Sequence, residues 1–96
     1  MDSKVLIVED DPDLREALVD TLELADYGVL ATENGHEALK WIEKEEVGLI
    51  FSDVRMDHMD GHTLLKRVRA KMPHLPVVLM TAYGTIDKAV EAMNDG

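Results

Sequence analysis

Short apolar runs alternate along the chain with segments in which apolar residues recur at helical spacing. The runs cover residues 5–8, 29–31, 49–51 and 77–80. A short apolar run without polar alternation is typical of a strand that is buried on both faces, as in a parallel sheet covered by helices. The pattern therefore predicts four strands, each followed by a helix.

The first helix is predicted to begin at Asp11 and Pro12, because Asp is a favoured N-cap and Pro is tolerated at the first helical position. Its end is expected at Gly28, which suits a left-handed C-cap. We expect one stripe of this helix to be buried against the sheet. The stripe consists of Leu14, Ala17, Leu18, Thr21, Leu22 and Ala25.

Three further helices are predicted from the same periodicity. The second follows Asn34, the third covers about 62–72, and the fourth follows the last apolar run. The residues expected to be buried on them are Ala38, Leu39 and Ile42, then Leu64, Leu65 and Val68, then Ile86, Ala89, Val90 and Met93. Strand followed by helix, four times over, predicts an α/β fold with a doubly wound parallel sheet and right-handed crossovers.

Composition narrows the function classes. A chain of 96 residues is one domain at most. The net charge of −10 argues against a nucleic-acid surface, since phosphate binding depends on Lys and Arg. No cysteine is present, which excludes disulfides and thiolate metal sites. Because no apolar run approaches the roughly 18 residues of a membrane span, we expect a soluble cytoplasmic domain.

Acidic residues follow two of the predicted strands. Glu9 and Asp10 come directly after the first, Asp53 comes after the third, and Thr81 follows the fourth. Ligands of open α/β sheets bind at the carboxyl ends of the strands, so these side chains should meet. Crowded carboxylates repel one another unless a cation intervenes, which predicts a hard divalent metal such as Mg²⁺. Asp53 could then act as a nucleophile towards phosphorus, with Thr81 sensing the product.

At these residues the chain resembles the receiver domain of the two-component response regulators over its full length. The matching motifs are the Glu9-Asp10 pair, Asp53, MDHMDG at residues 56–61, and Thr81-Ala82. The stretches SDVRM and VVLMTAYGTIDKAVEAM are most similar to the NtrC-type, sigma-54-dependent transcriptional activators. The resemblance implies a flavodoxin-like (CheY-like) sheet of order 2-1-3-4-5, with the fifth strand and helix beyond residue 96. Residues 1–96 are then a receiver domain that is incomplete at its C-terminus.

The resemblance also implies roles for the acids. Asp53 would accept a phosphoryl group from a sensor histidine kinase. Asp10 would bind Mg²⁺ directly, Glu9 mostly through water, and Arg55 through its backbone carbonyl. The module would not be an enzyme, and it would regulate transcription through an output domain outside this chain, without itself contacting nucleic acid or membrane.

Further implied roles concern the phosphoryl group. Thr81 would be the switch hydroxyl, and the backbone amides around Val54 and Ala82 would hold the phosphoryl oxygens. The chain departs from the family pattern in two places, because Glu9 replaces the commoner Asp and Asp57 replaces the usual Pro. The Lys that grips the phosphoryl group in the family would lie beyond the last residue of this chain.

Two other functions fit parts of the sequence. A metal-dependent phosphohydrolase would use a similar carboxylate cluster, but Arg55 stands two residues after Asp53, where such enzymes place an acid. Alternatively, the chain is an inert truncated receiver. The apolar strand at residues 77–80 would then be an uncovered edge through which copies pair or swap, and a homo-oligomer through this edge or the fourth helix is expected.

Overall fold

Strands and helices alternate along the computed structural model, which describes residues 3–56 and 59–80. The elements are β1 (Lys4–Val8), α1 (Pro12–Leu24), β2 (Val29–Thr32), α2 (Gly35–Lys44), β3 (Val47–Asp53), α3 (Gly61–Lys71) and β4 (Val77–Met80). All the strands and helices that the sequence predicts for these residues are present. The predicted fourth helix lies outside the described residues.

The sheet is parallel and has the strand order β2-β1-β3-β4, as expected. Its register pairs Val8 of β1 with Thr32 on one side and with Ser52 on the other. In the next pair, Asp53 of β3 lies opposite Met80 of β4. The carboxyl ends of β1 and β3 are therefore neighbours, and the acids that follow them are brought to one edge of the sheet.

The hydrophobic core lies between one face of the sheet and the helices α2 and α3. Leu6 and Ile50 on the central strands are fully buried against Ala38 of α2 and Leu64 of α3. Burying one such aliphatic side chain contributes about 1.5–3 kcal/mol to folding. The predicted inward residues of both helices are confirmed as buried or partly buried, and they anchor the two central strands.

The opposite face of the sheet is less covered than the sequence predicted. Ile7 is fully buried, but Phe51, its register partner on β3, is only half-buried. The helix α1 lies against β1 and β2, so it does not shield the outer half of this face. The prediction that β3 and β4 are buried on both faces is wrong, and so is the predicted burial of α1, where Leu14 is 42 % exposed.

The start of α1 is as predicted. The Asp11 side chain accepts hydrogen bonds from the backbone N–H groups of Asp13 at 3.0 Å and Leu14 at 3.5 Å, and Pro12 occupies the first helical position. These bonds satisfy donors that have no partner inside the helix. Asn34 caps α2 in the same way, through a 2.8 Å bond from the N–H of Glu37.

The end of α1 differs from the prediction. The residue with left-handed backbone is Asp26, at φ 68°, and not Gly28. Asp tolerates this conformation better than most residues because its short polar side chain bonds locally. The chain therefore turns out of the helix two residues earlier than the glycine suggested.

The surface of α3 is basic. Its exposed cations are Lys66, Arg67, Arg69 and Lys71, and Lys71 pairs with Glu43 of α2. Exposed ion pairs of this kind add little to stability.

In the part of the chain that the structure describes, no helix combines the length and the apolar character that a membrane span requires.

The first residue of α3, Gly61, packs directly against the end of β3. A Cβ atom there would lie 2.7 Å from the Asp53 carbonyl oxygen and 3.0 Å from the Val54 Cα. Gly35 holds the equivalent position in α2, but the nearest atom to its Cβ would be the flexible Met59 Sδ at 2.7 Å. Backbone cannot move aside as a thioether can.

We therefore expect Gly61→Ala to lower the free energy of unfolding by about 1–3 kcal/mol, the usual cost of overpacking. The matched variant Gly35→Ala should cost less, because Met59 can change rotamer. Urea denaturation followed by circular dichroism gives both values. Equal losses in the two variants would show that close approach of α3 to the β3 backbone is not a constraint.

Candidate metal centre

Three carboxylates meet where β1 and β3 end. Glu9 and Asp10 directly follow β1, and Asp53 is the last residue of β3. One oxygen from each of the three lies within 4.8 Å of the others. Glu9 is 1 % exposed, Asp53 is 7 % exposed and Asp10 is half-buried. The meeting of acids that the sequence predicted is present in the structure.

Nearly every polar group of Glu9 is bonded. Its backbone N–H donates to the Thr32 carbonyl at 3.0 Å, which continues the pairing of β1 with β2. The Glu9 carbonyl accepts a 2.8 Å bond from Arg15 Nη1, and Glu9 Oε2 accepts a 3.1 Å bond from the N–H of Asp11. Glu9 Oε1 is buried and finds no hydrogen-bond partner within the described ranges. A buried acceptor left in this way requires an explanation.

The carboxylate of Asp53 is fixed by the turn that follows it. Asp53 Oδ1 accepts a 3.0 Å bond from the backbone N–H of Arg55, whose side chain is exposed. The next peptide is held from two sides, because the Val54 N–H donates to the Met80 carbonyl at 2.7 Å and the Val54 carbonyl accepts from the Gly61 N–H at 2.8 Å. Backbone bonds to β4 and α3 therefore set the position of Asp53.

The electrostatics of the cluster disfavour three simultaneous negative charges. The pKa of Glu9 is raised from 4.5 to about 7, first by burial and then by the neighbouring Asp10 and Asp53, against the lowering effect of the bond from the Asp11 N–H. Like charges in one small space have this effect because each disfavours ionisation of the next. The cluster can relieve the repulsion by holding a proton or by binding a cation.

The donor set fits Mg²⁺. This ion prefers hard oxygen ligands in octahedral geometry and keeps several waters, so a few carboxylates suffice. The three oxygens within 4.8 Å of one another are of this type. Glu9 Oε1 is in addition a buried acceptor to which no described group donates a hydrogen bond. Among residues 3–56 and 59–80, no histidine belongs to this cluster, and the chain has no cysteine, so the nitrogen and sulfur ligands that favour zinc are not found there.

Other residues predicted for the site are placed less completely. Arg55 lies beside Asp53, and the role of its carbonyl in metal binding stays a prediction. The Val54 N–H, predicted to contact a phosphoryl group, bonds to Met80 in this structure. Thr81, Ala82 and Asp57 lie outside the described residues.

Sequence reasoning missed Arg15. Its side chain reaches back from α1 to the carbonyl of Glu9, six residues earlier. The signal in the sequence was that Arg15 is the one basic residue of α1. A single cation in an acidic helix that begins beside an acidic pair deserves a test for contact with that pair.

The chain is similar to known proteins along its whole length. The family model described as the response regulator receiver domain matches residues 5–96. The chain is 53 % identical over 96 residues to the response regulator protein FleR of Pseudomonas aeruginosa, covering 100 % of this chain and 20 % of that protein. It is 38 % identical over 92 residues to the transcriptional regulator NtrC of Salmonella typhimurium, covering 96 % and 20 %. The chain thus spans about a fifth of the length of these relatives.

Solved structures show the same architecture. The chemotaxis protein CheY4 of Vibrio cholerae superposes with a TM-score of 0.85 at 32 % identity, covering 100 % of this chain and 82 % of that one. The response regulator TrrA of Thermotoga maritima, solved in complex with Mg²⁺ and BeF, superposes with a TM-score of 0.80 at 32 % identity, covering 84 % and 70 %. The four-stranded order found here is that of the CheY-like fold.

The raised pKa of Glu9 predicts a pH dependence of stability in metal-free buffer. The unfolded chain loses this proton near pH 4.5, whereas the folded chain keeps it until about pH 7. Between these values the folded state binds more protons, so the contribution of Glu9 to stability is full below pH 4.5 and falls as the pH rises towards 7.

We expect Glu9→Gln to remove this fall, because the amide does not titrate. Urea midpoints in chelator-containing buffer, measured across the window for wild type and variant, give the difference. Glu16→Gln, an exposed change on α1, is the control and should leave the slope as it is in wild type. Parallel pH profiles for wild type and Glu9→Gln would contradict the buried, protonated state of Glu9.

Proposed function

The chain belongs to the response regulator receiver domain family, and on that premise we propose that Asp53 accepts a phosphoryl group from a sensor histidine kinase with the help of Mg²⁺. The observation that carries the proposal is the convergence of Glu9, Asp10 and Asp53, with one buried oxygen of Glu9 left without a partner. An arrangement held together against its own repulsion is suited to bind a cation and, through it, an anionic phosphoryl group.

The chemistry is a transfer between two side chains. A carboxylate oxygen of Asp53 attacks phosphorus, the P–N bond to the kinase histidine breaks as the P–O bond forms, and the imidazole leaves with the electron pair. The Arg55 N–H at Asp53 Oδ1 orients the carboxylate for this attack.

The metal would be held by Asp10 and Asp53 directly, by Glu9 mostly through water, and by the Arg55 carbonyl. When bound, Mg²⁺ supplies positive charge that neutralises the carboxylates and the phosphoryl oxygens in transfer. Among the chain's own groups, Glu9 is fixed through its carbonyl and Oε2, and one of its carboxylate oxygens lies within 4.8 Å of an oxygen of Asp10 and of Asp53.

Thr81 and Ala82 would complete the phosphoryl contacts, as the receiver family implies. The Val54 amide can join them only by exchanging its bond to the Met80 carbonyl. Since Met80 is the last residue of β4 and directly precedes Thr81, that exchange would couple phosphorylation to the residues that follow β4. The added charge of about −1.5 to −2 is the driving force for such a change.

The wider role follows from the relatives. We propose that residues 1–96 form a cytoplasmic receiver module, a signalling part with no turnover reaction of its own. Its parent regulator would control transcription, as the name of NtrC states for that protein. The net charge of −10 leaves DNA contact to other parts of the parent protein.

The phosphorylation itself is testable with a small phosphodonor. In Mg²⁺, we expect acetyl phosphate to add one phosphoryl group per chain, labile to hydroxylamine, and beryllofluoride to shift the amide resonances of Asp53 and Thr81. Asp53→Asn should abolish both effects because the amide is not a nucleophile. Intact-mass spectrometry and two-dimensional NMR are the measurements, and Asp20→Asn, an exposed change on α1, should behave as wild type.

Other outcomes separate the remaining functions. Continued hydrolysis of a phosphate monoester such as p-nitrophenyl phosphate, lost in Asp53→Asn, would support a phosphohydrolase, because phosphate release from acetyl phosphate also follows from spontaneous hydrolysis of the acyl phosphate. A spectrum unmoved by Mg²⁺ and beryllofluoride would support an inert receiver, and light scattering of that sample would show whether copies pair. Modification that persists in Asp53→Asn would assign the phosphoacceptor elsewhere.

A further inference from the structure

We propose that Arg15 is a positioning residue for the Mg²⁺ centre, acting through the backbone carbonyl of Glu9 and not on the metal or the phosphoryl group. The inference rests on the proposed function, because it concerns the affinity of the same site. Under this proposal, α1 contributes to metal binding through the side chain of Arg15.

The contact closes the loop between β1 and α1. The Arg15 backbone N–H donates to the Asp11 carbonyl at 2.9 Å, as a residue in the first turns of a helix should. Its side chain then runs back along the helix axis, and Nη1 donates to the Glu9 carbonyl at 2.8 Å. Arg15 is half-buried, so the bond is partly shielded from water. A charge-assisted bond of this length is stronger than one between neutral groups.

The Glu9 carbonyl needs a donor from outside the sheet. β1 ends at Val8, and the last bond to β2 uses the N–H of Glu9, which donates to Thr32. Glu9 is 1 % exposed, so a carbonyl without a partner here would lose its hydration with nothing in return. Arg15 supplies the missing donor at the point where the strand stops.

That carbonyl belongs to the peptide that joins Glu9 to Asp10. Its direction therefore sets the direction in which both acidic side chains leave the main chain. The N–H of Asp11 fixes Glu9 Oε2 from the next turn of the same loop. With Arg15 on the carbonyl and Asp11 on the carboxylate, the loop is held in a conformation in which Glu9, Asp10 and Asp53 each place an oxygen within 4.8 Å of the others.

Charge and positioning predict opposite effects for the loss of Arg15. Removing a cation near a Mg²⁺ site lowers electrostatic repulsion, so charge alone predicts tighter binding. Removing the bond that fixes the ligand loop predicts weaker binding, because outer-shell partners typically contribute 10–100-fold to metal affinity. The sign of the change therefore identifies the mechanism.

The experiment titrates the full chain with Mg²⁺ alone, by calorimetry and by the amide shifts of residues 9–11 and 53. We expect Arg15→Ala to weaken Mg²⁺ binding about tenfold. Arg15→Lys, which keeps the charge and one donor, should recover part of the loss. Arg69→Ala, which removes an exposed cation of α3, is the matched charge control and should leave the affinity unchanged or slightly higher.

The outcomes are distinct. Binding by Arg15→Ala that is equal to or tighter than that of Arg69→Ala overturns the positioning role while leaving the proposed function intact. A wild-type chain that does not bind Mg²⁺ overturns both. If thermal melts show that Arg15→Ala does not fold, Arg15→Lys and Arg15→Gln decide the matter, and affinities equal to wild type in both would overturn the proposal.

Discussion

The close approach of three carboxylates at the ends of β1 and β3 is the constraint on which the candidate site depends. The parallel register places Val8 beside Ser52, so the residues that follow, Glu9 and Asp53, must lie side by side. The fold holds them there although burial and like charge both disfavour ionisation, and the pKa of Glu9 is raised to about 7 by burial first and by Asp10 and Asp53 second. Folding energy from the apolar core is thus used to keep a charged cluster ready for a cation, a common arrangement at functional sites.

The backbone around Asp53 is what resists the repulsion. The peptide of Val54 is bonded to β4 through Met80 and to α3 through Gly61, and Gly61 lies so close to the Asp53 carbonyl that an added Cβ would force a shift. Hydrogen bonds to β4 and to α3 therefore fix the main chain at the end of β3. At the end of β1, the bond from Arg15 to the Glu9 carbonyl holds the main chain in a similar way.

Much of this could be predicted from the sequence because it depends on local rules. Apolar runs give strands, and acids placed at parallel strand ends must meet. The predictions that were wrong concern features that depend on packing between elements distant in the sequence. Helical spacing shows which side of α1 faces inward, but not how far its partners extend, so Leu14 stayed exposed. Glycine was favoured for the left-handed turn, yet Asp26 adopts it. The bond from Arg15 to a main-chain carbonyl has no periodic signature.

The Val54 peptide also indicates how a signal could leave the site under the proposed function. Its N–H has a single hydrogen, which in this structure is committed to the Met80 carbonyl at 2.7 Å. A phosphoryl group on Asp53 would present strong acceptor oxygens one residue away and compete for the same hydrogen. If the Val54 N–H bonds to the phosphoryl group instead, the Met80 carbonyl loses its donor. Met80 is the last residue of β4 and directly precedes Thr81. The change would then pass to the residues that follow β4 by exchange of one hydrogen bond.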